Sequence, residues 1–153
     1  MKFYDGRSYA PEQSVGHLMK RIMLLMQRQV ERRLAAHDLT SAQWVPLWLI
    51  SLGQADTAQA LTCAVNMDAG AMTRLLDRLE AKGLLERERS QDDRRVVRLK
   101  LTDAGRDVVR HIPGVLADVN NEALAGFTKD EFKVLTAMLT RMHATLLAAE
   151  ESA

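Results

Sequence analysis

Arginine side chains are the groups in this sequence whose types and spacing best suggest chemistry. Arg74 and Arg78 are one helical turn apart, and Arg94, Arg95 and Arg98 follow them closely. A guanidinium is always charged, and its planar fork of donors matches phosphate oxygens and the major-groove edge of guanine. The pattern predicts recognition of an anionic partner through hydrogen bonds, so the segments that carry these arginines decide the interpretation.

Catalytic and metal-binding patterns are missing from the sequence. It has no G-x-S-x-G, no G-x-G-x-x-G, no P-loop and no paired metal ligands, so we expect neither an enzyme, nor a cofactor, nor a metal site. Cys63 is the only cysteine and is predicted to be a small buried hydrophobe, although a redox-sensing or metal-sensing role stays open. The histidines lack ligand spacing; they are His17, His37, His111 and His143.

The segment from Asp56 predicts a short helix followed by a turn. Asp56 is a good N-cap residue with Gln59 at the N3 position, and the helix is expected to span 57–64. Its apolar residues recur at helical spacing, which predicts that Ala58, Leu61 and Val65 are buried. The next three residues, 66–68, are typical of a turn.

A second helix follows, with Asn66 or Asp68 as its predicted cap. Its apolar stripe, which we expect to be buried, consists of Met72, Leu75, Leu76 and Leu79. Its polar face carries Thr73, Arg74, Asp77 and Arg78. Gly83 can take the left-handed conformation that ends a helix, with Leu84 packing back against the last turn.

A two-stranded hairpin is predicted after this helix. Residues 84–89 and 96–101 are strand-like, and the apolar Val97, Leu99 and Leu101 alternate with the residues between them. The polar turn at 90–95 places Asp92-Asp93-Arg94-Arg95 at the tip. Thr102 then caps another helix, with Gly105 in its first turn. The order predicts a winged helix-turn-helix, mainly α with a small β-hairpin wing, and its expected partner is double-stranded DNA.

The run from Thr73 to Gly105 resembles the MarR family, the multiple-antibiotic-resistance type of bacterial regulators. Four matching pieces lie in register: RLLDRLE at 74–80, KGL at 82–84, Asp93-x-Arg95, and LTxxG at 101–105. The flanking helices also match in length and order. The resemblance implies an obligate homodimer that binds a pseudo-palindromic operator, usually as a repressor, and is released by a small molecule.

The predicted DNA contacts lie on the second helix and the wing. They are Asp68, Ala69, Gly70, Thr73, Arg74, Arg78, Asp93, Arg94, Arg95 and Arg98. Relatives often have Ser or Thr where this chain has 69-Ala-Gly-Ala-71, so direct base readout there is expected to be thin, with methyl contact to thymine remaining. Arg95, braced by Asp93, is the candidate for the minor groove.

Three alternatives to DNA contact remain open for these residues. The arginines of the second helix could pair only with Asp77 and Glu80, although a following arginine-tipped hairpin favours DNA. The other arginines of the ribbon are expected to touch phosphates or only to make the ribbon soluble: Arg94, Arg98, Arg87 and Arg89. The whole domain could also bind another protein, but such winged helices usually lose these basic residues.

The flanks are predicted to form the dimerisation region, residues 1–36 and 103–153, around a DNA-binding domain at 37–102. The first helix is expected from Pro11 to about Ala36, and a capping box at Thr40 opens the next. A long helix from Thr102 to about 126 should kink or break at Pro113-Gly114, and a second capping box at Thr128 opens a last helix to about Ala149. The apolar residues of the two outer helices are Val15, Leu18, Ile22, Leu25, Met26, Leu34, Phe132, Leu135, Met138, Leu139, Met142 and Leu146.

Two tryptophans suggest where an effector binds. The resemblance implies that the ligand binds where the first, second and fifth helices meet the winged helix-turn-helix, the winged lobe of the protein. Trp44 and Trp48 share a helix face there, and Pro46 is expected to bend that helix between them. The other predicted ligand residues are Met19, Arg21, Met23 and His37. A flat aromatic acid or phenol is the expected ligand, and the alternative is that the tryptophans are ordinary core.

Charge is distributed unevenly along a nearly neutral chain of 153 residues with net charge +1. Residues 74–110 carry eleven Lys/Arg against eight Asp/Glu, and residues 1–36 carry seven against three. Residues 111–153 carry three against six. The start shows no apolar signal-peptide core and no run is long enough to span a membrane, so we expect a cytoplasmic protein without a membrane partner.

Overall fold

The computed structural model describes residues 2–89 and 95–152, without the side chain of Ser41. Seven α-helices and two strands lie in these ranges: α1 Val15–Leu34, α2 Ser41–Ser51, α3 Ala58–Val65, α4 Ala69–Ala81, β1 Leu85–Arg89, β2 Val97–Leu101, α5 Asp103–Val109, α6 Ile112–Ala123 and α7 Lys129–Glu151. The strands pair antiparallel. This confirms the predicted fold class, mainly helical with a hairpin wing. One compact unit ends at Val119 and a second begins at Asn120, within α6.

The first helix differs from the prediction at both ends. Pro11–Gln13 is a separate 3₁₀ turn, and Ser14, with extended backbone, is the N-cap of α1, its Oγ accepting from the His17 N–H at 3.2 Å. At the other end Ala35–His37 is again a 3₁₀ turn. The expectation of one helix from Pro11 is wrong, because the extended backbone of Ser14 interrupts it and the Ser14 side chain caps a new helix.

Both predicted capping boxes are confirmed. The Thr40 N–H donates to Gln43 Oε1 at 3.2 Å at the start of α2, and Pro46 lies inside this helix. The Thr128 N–H donates to Glu131 Oε2 at 2.8 Å at the start of α7, while Thr128 Oγ1 accepts from the Glu131 N–H at 3.2 Å. In both places a side chain and a backbone group satisfy each other, which fixes where the helix begins.

The start of α3 corrects the sequence interpretation. Thr57, not Asp56, is the N-cap, and its side chain accepts from the Ala60 N–H at 3.2 Å. Asp56 instead accepts from the Leu99 N–H of β2 at 2.7 Å through its backbone carbonyl. Leu61 is buried as predicted and Val65 is half-buried, but Ala58 is exposed because it lies on the solvent side of the first turn.

One hydrophobic core in the first unit supports the helix-turn-helix and the ribbon. Its fully buried members include Leu34, Leu39, Leu47, Leu61, Met72, Leu76, Leu79, Leu85 and Ile112. The predicted stripe of α4 is confirmed, since Met72, Leu75, Leu76 and Leu79 are all at most 6% exposed. In β2, Leu99 and Leu101 are buried, whereas Val97 is exposed, because it lies toward the tip of the ribbon beyond the core.

Two glycines join the end of α4 to the start of α5. Gly83 has φ +70°, and the Leu84 N–H donates to the Leu79 carbonyl at 3.0 Å, the Schellman cap that the sequence predicts. Thr102 caps α5 and donates its hydroxyl to the Gly83 carbonyl at 2.5 Å. A Cβ at Gly105 would lie 1.9 Å from the Leu84 carbonyl oxygen. Only glycine allows this approach.

The long helix predicted after the wing breaks earlier than expected. α5 ends at Val109 and α6 begins at Ile112, so Pro113 lies in the first turn of α6 rather than at the break. A proline fits there because the first N–H groups of a helix have no helical acceptor.

In the second unit, α7 runs to Glu151 with exposed apolar side chains along its length. None of the described helices combines the length and the apolar character that crossing a membrane requires.

Candidate nucleic-acid interface

The exposed face of α4 carries the predicted DNA-binding side chains. Thr73, Arg74 and Arg78 are exposed on the side opposite the buried stripe, and Asp77 lies among them. A helix that packs one face so completely holds its other face rigid with respect to the domain. The geometry therefore presents two guanidinium groups, one turn apart, from a fixed support.

The first turn of α4 presents methyl groups and backbone rather than hydrogen-bonding side chains. Asp68 is the N-cap, as predicted, and its Oδ1 accepts from the Ala71 N–H at 2.9 Å. Thr73 donates its hydroxyl to the Ala69 carbonyl at 2.9 Å, so the donor of this side chain is engaged within the helix. A Cβ at Gly70 would lie 3.6 Å from Arg74 Nη1 and 3.1 Å from Asp68 Oδ1, so Arg74 extends back over the glycine.

The ribbon is attached to the helix-turn-helix through β2. Leu85 pairs with Leu101 and Arg89 with Val97, which defines the register of the two strands. Arg98, a predicted DNA contact, forms an ion pair with Asp56, just before α3. Together with the hydrogen bond from Leu99 to Asp56, this pair fixes the base of the ribbon against the start of α3.

The tip of the wing falls mostly outside the described residues. Asp93 and Arg94 lie there, so the predicted brace from Asp93 to Arg95 remains a prediction. Arg95 is described and is exposed at the start of the returning chain. Its assignment to the minor groove stays a prediction.

Two basic side chains hold α4 in ways that sequence reasoning missed. Arg87 on β1 forms ion pairs with Asp77 and Glu80 of α4. Lys82, after the end of α4, donates to the Asp38 carbonyl at 3.1 Å and approaches Gln43 Oε1 at 3.4 Å. Local spacing did not point to Arg87, because Arg74 and Arg78 are nearer candidate partners for Asp77 and Glu80 on the same helix.

The predicted effector residues divide into two groups. Trp44 and Trp48 are half-buried against the core, as both the ligand hypothesis and the core alternative require. Met19, Arg21 and Met23 are exposed on α1.

His37 has a partner that the sequence gave no reason to expect. Its ring stacks on that of His111, with centroids 4.2 Å apart and an interplanar angle of 12°.

A cleft of about 350 Å³ at the ribbon base is lined by residues that include Ile50, Lys100 and Arg106, and none of the predicted effector residues lines it.

The expectation for Cys63 is also wrong. It was predicted to be buried, but it is exposed on α3, two residues after the buried Leu61 and therefore on the opposite side of the helix. Within residues 2–89 and 95–152, no three His, Cys, Asp or Glu side chains come together as metal ligands.

Comparison with known proteins agrees with this architecture. The sequence model of the MarR family matches residues 39–97. The crystal structure of the reduced form of MarR from E. coli is 30% identical over 84% of this chain and 96% of that chain, with a TM-score of 0.76. A cysteine-to-serine mutant of that protein complexed with operator DNA is also 30% identical, over 84% and 92% of the two chains, with a TM-score of 0.71. The DNA complex of MepR from S. aureus, 22% identical over 90% and 99%, shares the fold with a TM-score of 0.72.

Helix-turn-helix, ribbon and outer helices define the winged-helix class of transcription regulators. With the identity and coverage above, the chain belongs to the MarR family of that class.

Proposed function

We propose that this protein is a homodimeric repressor that binds a pseudo-palindromic DNA operator and is released by a small aromatic molecule. The observation that carries the proposal is the form of α4, which buries four apolar side chains and presents Arg74 and Arg78 on its exposed face, with the exposed Arg95 shortly before β2. The operator complex of E. coli MarR, a family relative, supports DNA as the partner. A chromosomal target implies that the protein acts in the cytoplasm.

Homodimerisation is supported by exposed apolar residues on α1 and, separately, on α7. On α1 they include Leu18, Ile22, Met23 and Leu25, and on α7 they include Phe132, Val134, Met138 and Leu146. Ile22 is 51% exposed and Met138 52%. Patches of this kind mark association surfaces, and a second copy of the chain would cover them. The two α4 helices of such a dimer, which we call the recognition helices, would then lie about 34 Å apart and enter successive major grooves on one side of the duplex.

Dimerisation is tested by charge insertion. Ile22→Glu and Met138→Glu should shift the protein from dimer to monomer in analytical ultracentrifugation, because each would bury a carboxylate in the interface. Gln29→Glu, at an exposed polar position of α1, is the matched control and should remain dimeric. A dimer that survives both apolar substitutions would place the interface elsewhere.

Repression follows from occupancy, because a dimer bound across a promoter blocks the polymerase. An effector acts by favouring one separation of the two α4 helices over another, and a preference of about 1–3 kcal/mol changes DNA affinity by roughly 5- to 150-fold. Trp44 and Trp48 are the tryptophans of the chain, so their fluorescence reports on a ligand beside them. Titration with benzoate and phenol should change this emission at the concentrations that release DNA.

The decisive experiment measures binding to DNA upstream of the protein's own gene and its neighbours. Fluorescence anisotropy under reducing conditions, at about 50 and 200 mM salt, should show one fragment bound tightly, with affinity that falls steeply with salt. Arg74→Ala, Arg78→Ala and Arg95→Ala together should abolish this preference without dissociating the dimer. Unchanged operator binding by the triple variant would refute the docking proposed here.

A further inference from the structure

Arg87 occupies an unusual position for a charged residue, on the inner side of the ribbon. In β1, Arg87 is two residues after Leu85, which is 1% exposed, and on the neighbouring strand it lies opposite Leu99, which is 3% exposed. Side chains two residues apart in a strand point to the same face. The Arg87 side chain is accordingly directed toward the domain, and only 31% of it is exposed. A residue that only solvates the ribbon would lie on the other face.

The guanidinium of Arg87 bridges two carboxylates of α4. Nη2 lies 2.7 Å from Asp77 Oδ1, and Nη1 lies 2.5 Å from Glu80 Oε2. Asp77 and Glu80 are three residues apart, so they are neighbours on the helix surface and repel each other when unpaired. The planar fork of an arginine can satisfy both at once, which the single ammonium of a lysine does less well.

These carboxylates lie where a DNA-binding helix should not be negative. Asp77 is four residues after Thr73 and three after Arg74, so it borders the exposed face that carries the arginines. On α4 the two acids offset the charges of Arg74 and Arg78. Arg87 adds one positive charge, which makes the sum over these five groups +1, and it contacts both carboxylates from the ribbon.

We propose that Arg87 is a positioning residue for DNA recognition. It locks the ribbon to the recognition helix and masks the two acidic side chains of α4, so that phosphates can approach Arg74 and Arg78. This inference rests on the proposed DNA-binding function. Arg87 acts through Asp77 and Glu80 and makes no phosphate contact of its own.

The test uses the full-length protein and a duplex that the wild type selects from a random-sequence pool. Dissociation constants are measured by anisotropy across about 50–200 mM salt for wild type, Arg87→Gln, Arg87→Lys, and Arg87→Gln combined with Asp77→Asn and Glu80→Gln. Arg110→Gln is the matched control, because it breaks the exposed Arg110–Asp107 ion pair of α5 with the same loss of charge. Circular dichroism and ultracentrifugation verify that each variant is folded and has the wild-type oligomeric state.

Arg87→Gln should weaken binding by about 5- to 20-fold, the effect of making the net charge near the phosphates more negative by one unit. Its salt slope should stay that of the wild type. The affinity of Arg87→Lys should lie between that of the wild type and that of Arg87→Gln. Removal of the carboxylates in the combined variant should restore affinity to within about threefold of wild type. Arg110→Gln should bind like the wild type.

Three outcomes would overturn the inference. A slope shallower by about 0.9 in Arg87→Gln, with no recovery in the combined variant, would show a direct phosphate contact. Wild-type affinity in Arg87→Gln would show that the ion pairs serve only the fold. A wild-type protein that selects no duplex would refute the proposed function, and with it any DNA role for Arg87.

Discussion

The contact at Gly105 gives the most direct prediction for the stability of the fold. In Gly105→Ala the new Cβ would lie 1.9 Å from the Leu84 carbonyl oxygen and 2.9 Å from its carbon. Real Cβ contacts below 3.0 Å essentially do not occur, so α5 and the end of α4 would have to separate by more than 1 Å. The atoms concerned are backbone, which cannot rotate away as a side chain can.

The size of the effect follows from what the separation breaks. The Thr102 N–H donates to the Leu84 carbonyl at 3.2 Å, and its hydroxyl donates to the Gly83 carbonyl at 2.5 Å. Overpacking typically costs about 1–3 kcal/mol and each lost hydrogen bond about 1 kcal/mol, so we expect Gly105→Ala to lower the free energy of unfolding by about 3 kcal/mol. For a chain of this length, that corresponds to a Tm lower by about 6–12 °C.

Thermal and urea unfolding, followed by circular dichroism at one protein concentration, measure this loss. Gly114→Ala is the matched control, because Gly114 lies inside α6 and a Cβ there meets nothing within 4 Å. The same substitution should stabilise the protein at that position by about 0.5–1 kcal/mol, since alanine is the better helix former. If Gly105→Ala unfolds at the wild-type temperature, α5 does not approach Leu84 as described.

Three further predictions concern the caps and the wing. Asp68→Ala should lower the free energy of unfolding by about 1 kcal/mol in urea titrations, whereas Asp68→Asn should preserve the cap of α4. Hydrogen bonds from the Thr128 N–H, and then from its hydroxyl, lower the pKa of Glu131 below its ordinary value of 4.5. Stability from this contact is therefore full above pH 4.5 and is lost as the pH falls through the lower pKa of the folded state. Glu131→Gln should flatten that part of an acid titration of helicity. Arg95→Ala should weaken operator binding and its A·T preference in anisotropy measurements, while ultracentrifugation still shows a dimer.

The recognition helix could be predicted closely because its signals are local. The apolar stripe of α4, the Asp68 cap and the Gly83 ending each depend on residues within a few positions of one another. The same holds for the capping boxes at Thr40 and Thr128. Local geometry decides these features before any tertiary contact forms, so reading residue types at fixed spacing is sufficient.

The predicted start of α3 is wrong because the signal that decides it is not local. Asp56 and Thr57 are adjacent, and both are good N-cap residues, so the local sequence does not choose between them. The choice is made by β2, about 40 residues later, where the Leu99 N–H and the Arg98 side chain engage Asp56 and leave Thr57 to cap the helix. A register between distant segments is not written in the spacing of either one.

The error at Cys63 was avoidable. Residue type alone favoured burial, because free cysteine is among the most buried residues. Helical spacing pointed the other way, since Cys63 is two positions from Leu61 and lies on the far side of a helix whose inner face is set by Leu61 and Val65. Where residue type and periodicity disagree on a short amphipathic helix, periodicity is the stronger indicator.

The contacts of the ribbon bear on how an effector could work. Arg98 ties β2 to Asp56, Arg87 ties β1 to α4, and Thr102 ties the end of the ribbon to Gly83. One attachment just before α3 and two at α4 and the turn after it leave the ribbon base and the recognition helix little freedom to move apart. In the proposed dimer, a ligand would therefore change DNA affinity by moving each winged lobe as one body, which alters the separation of the two α4 helices.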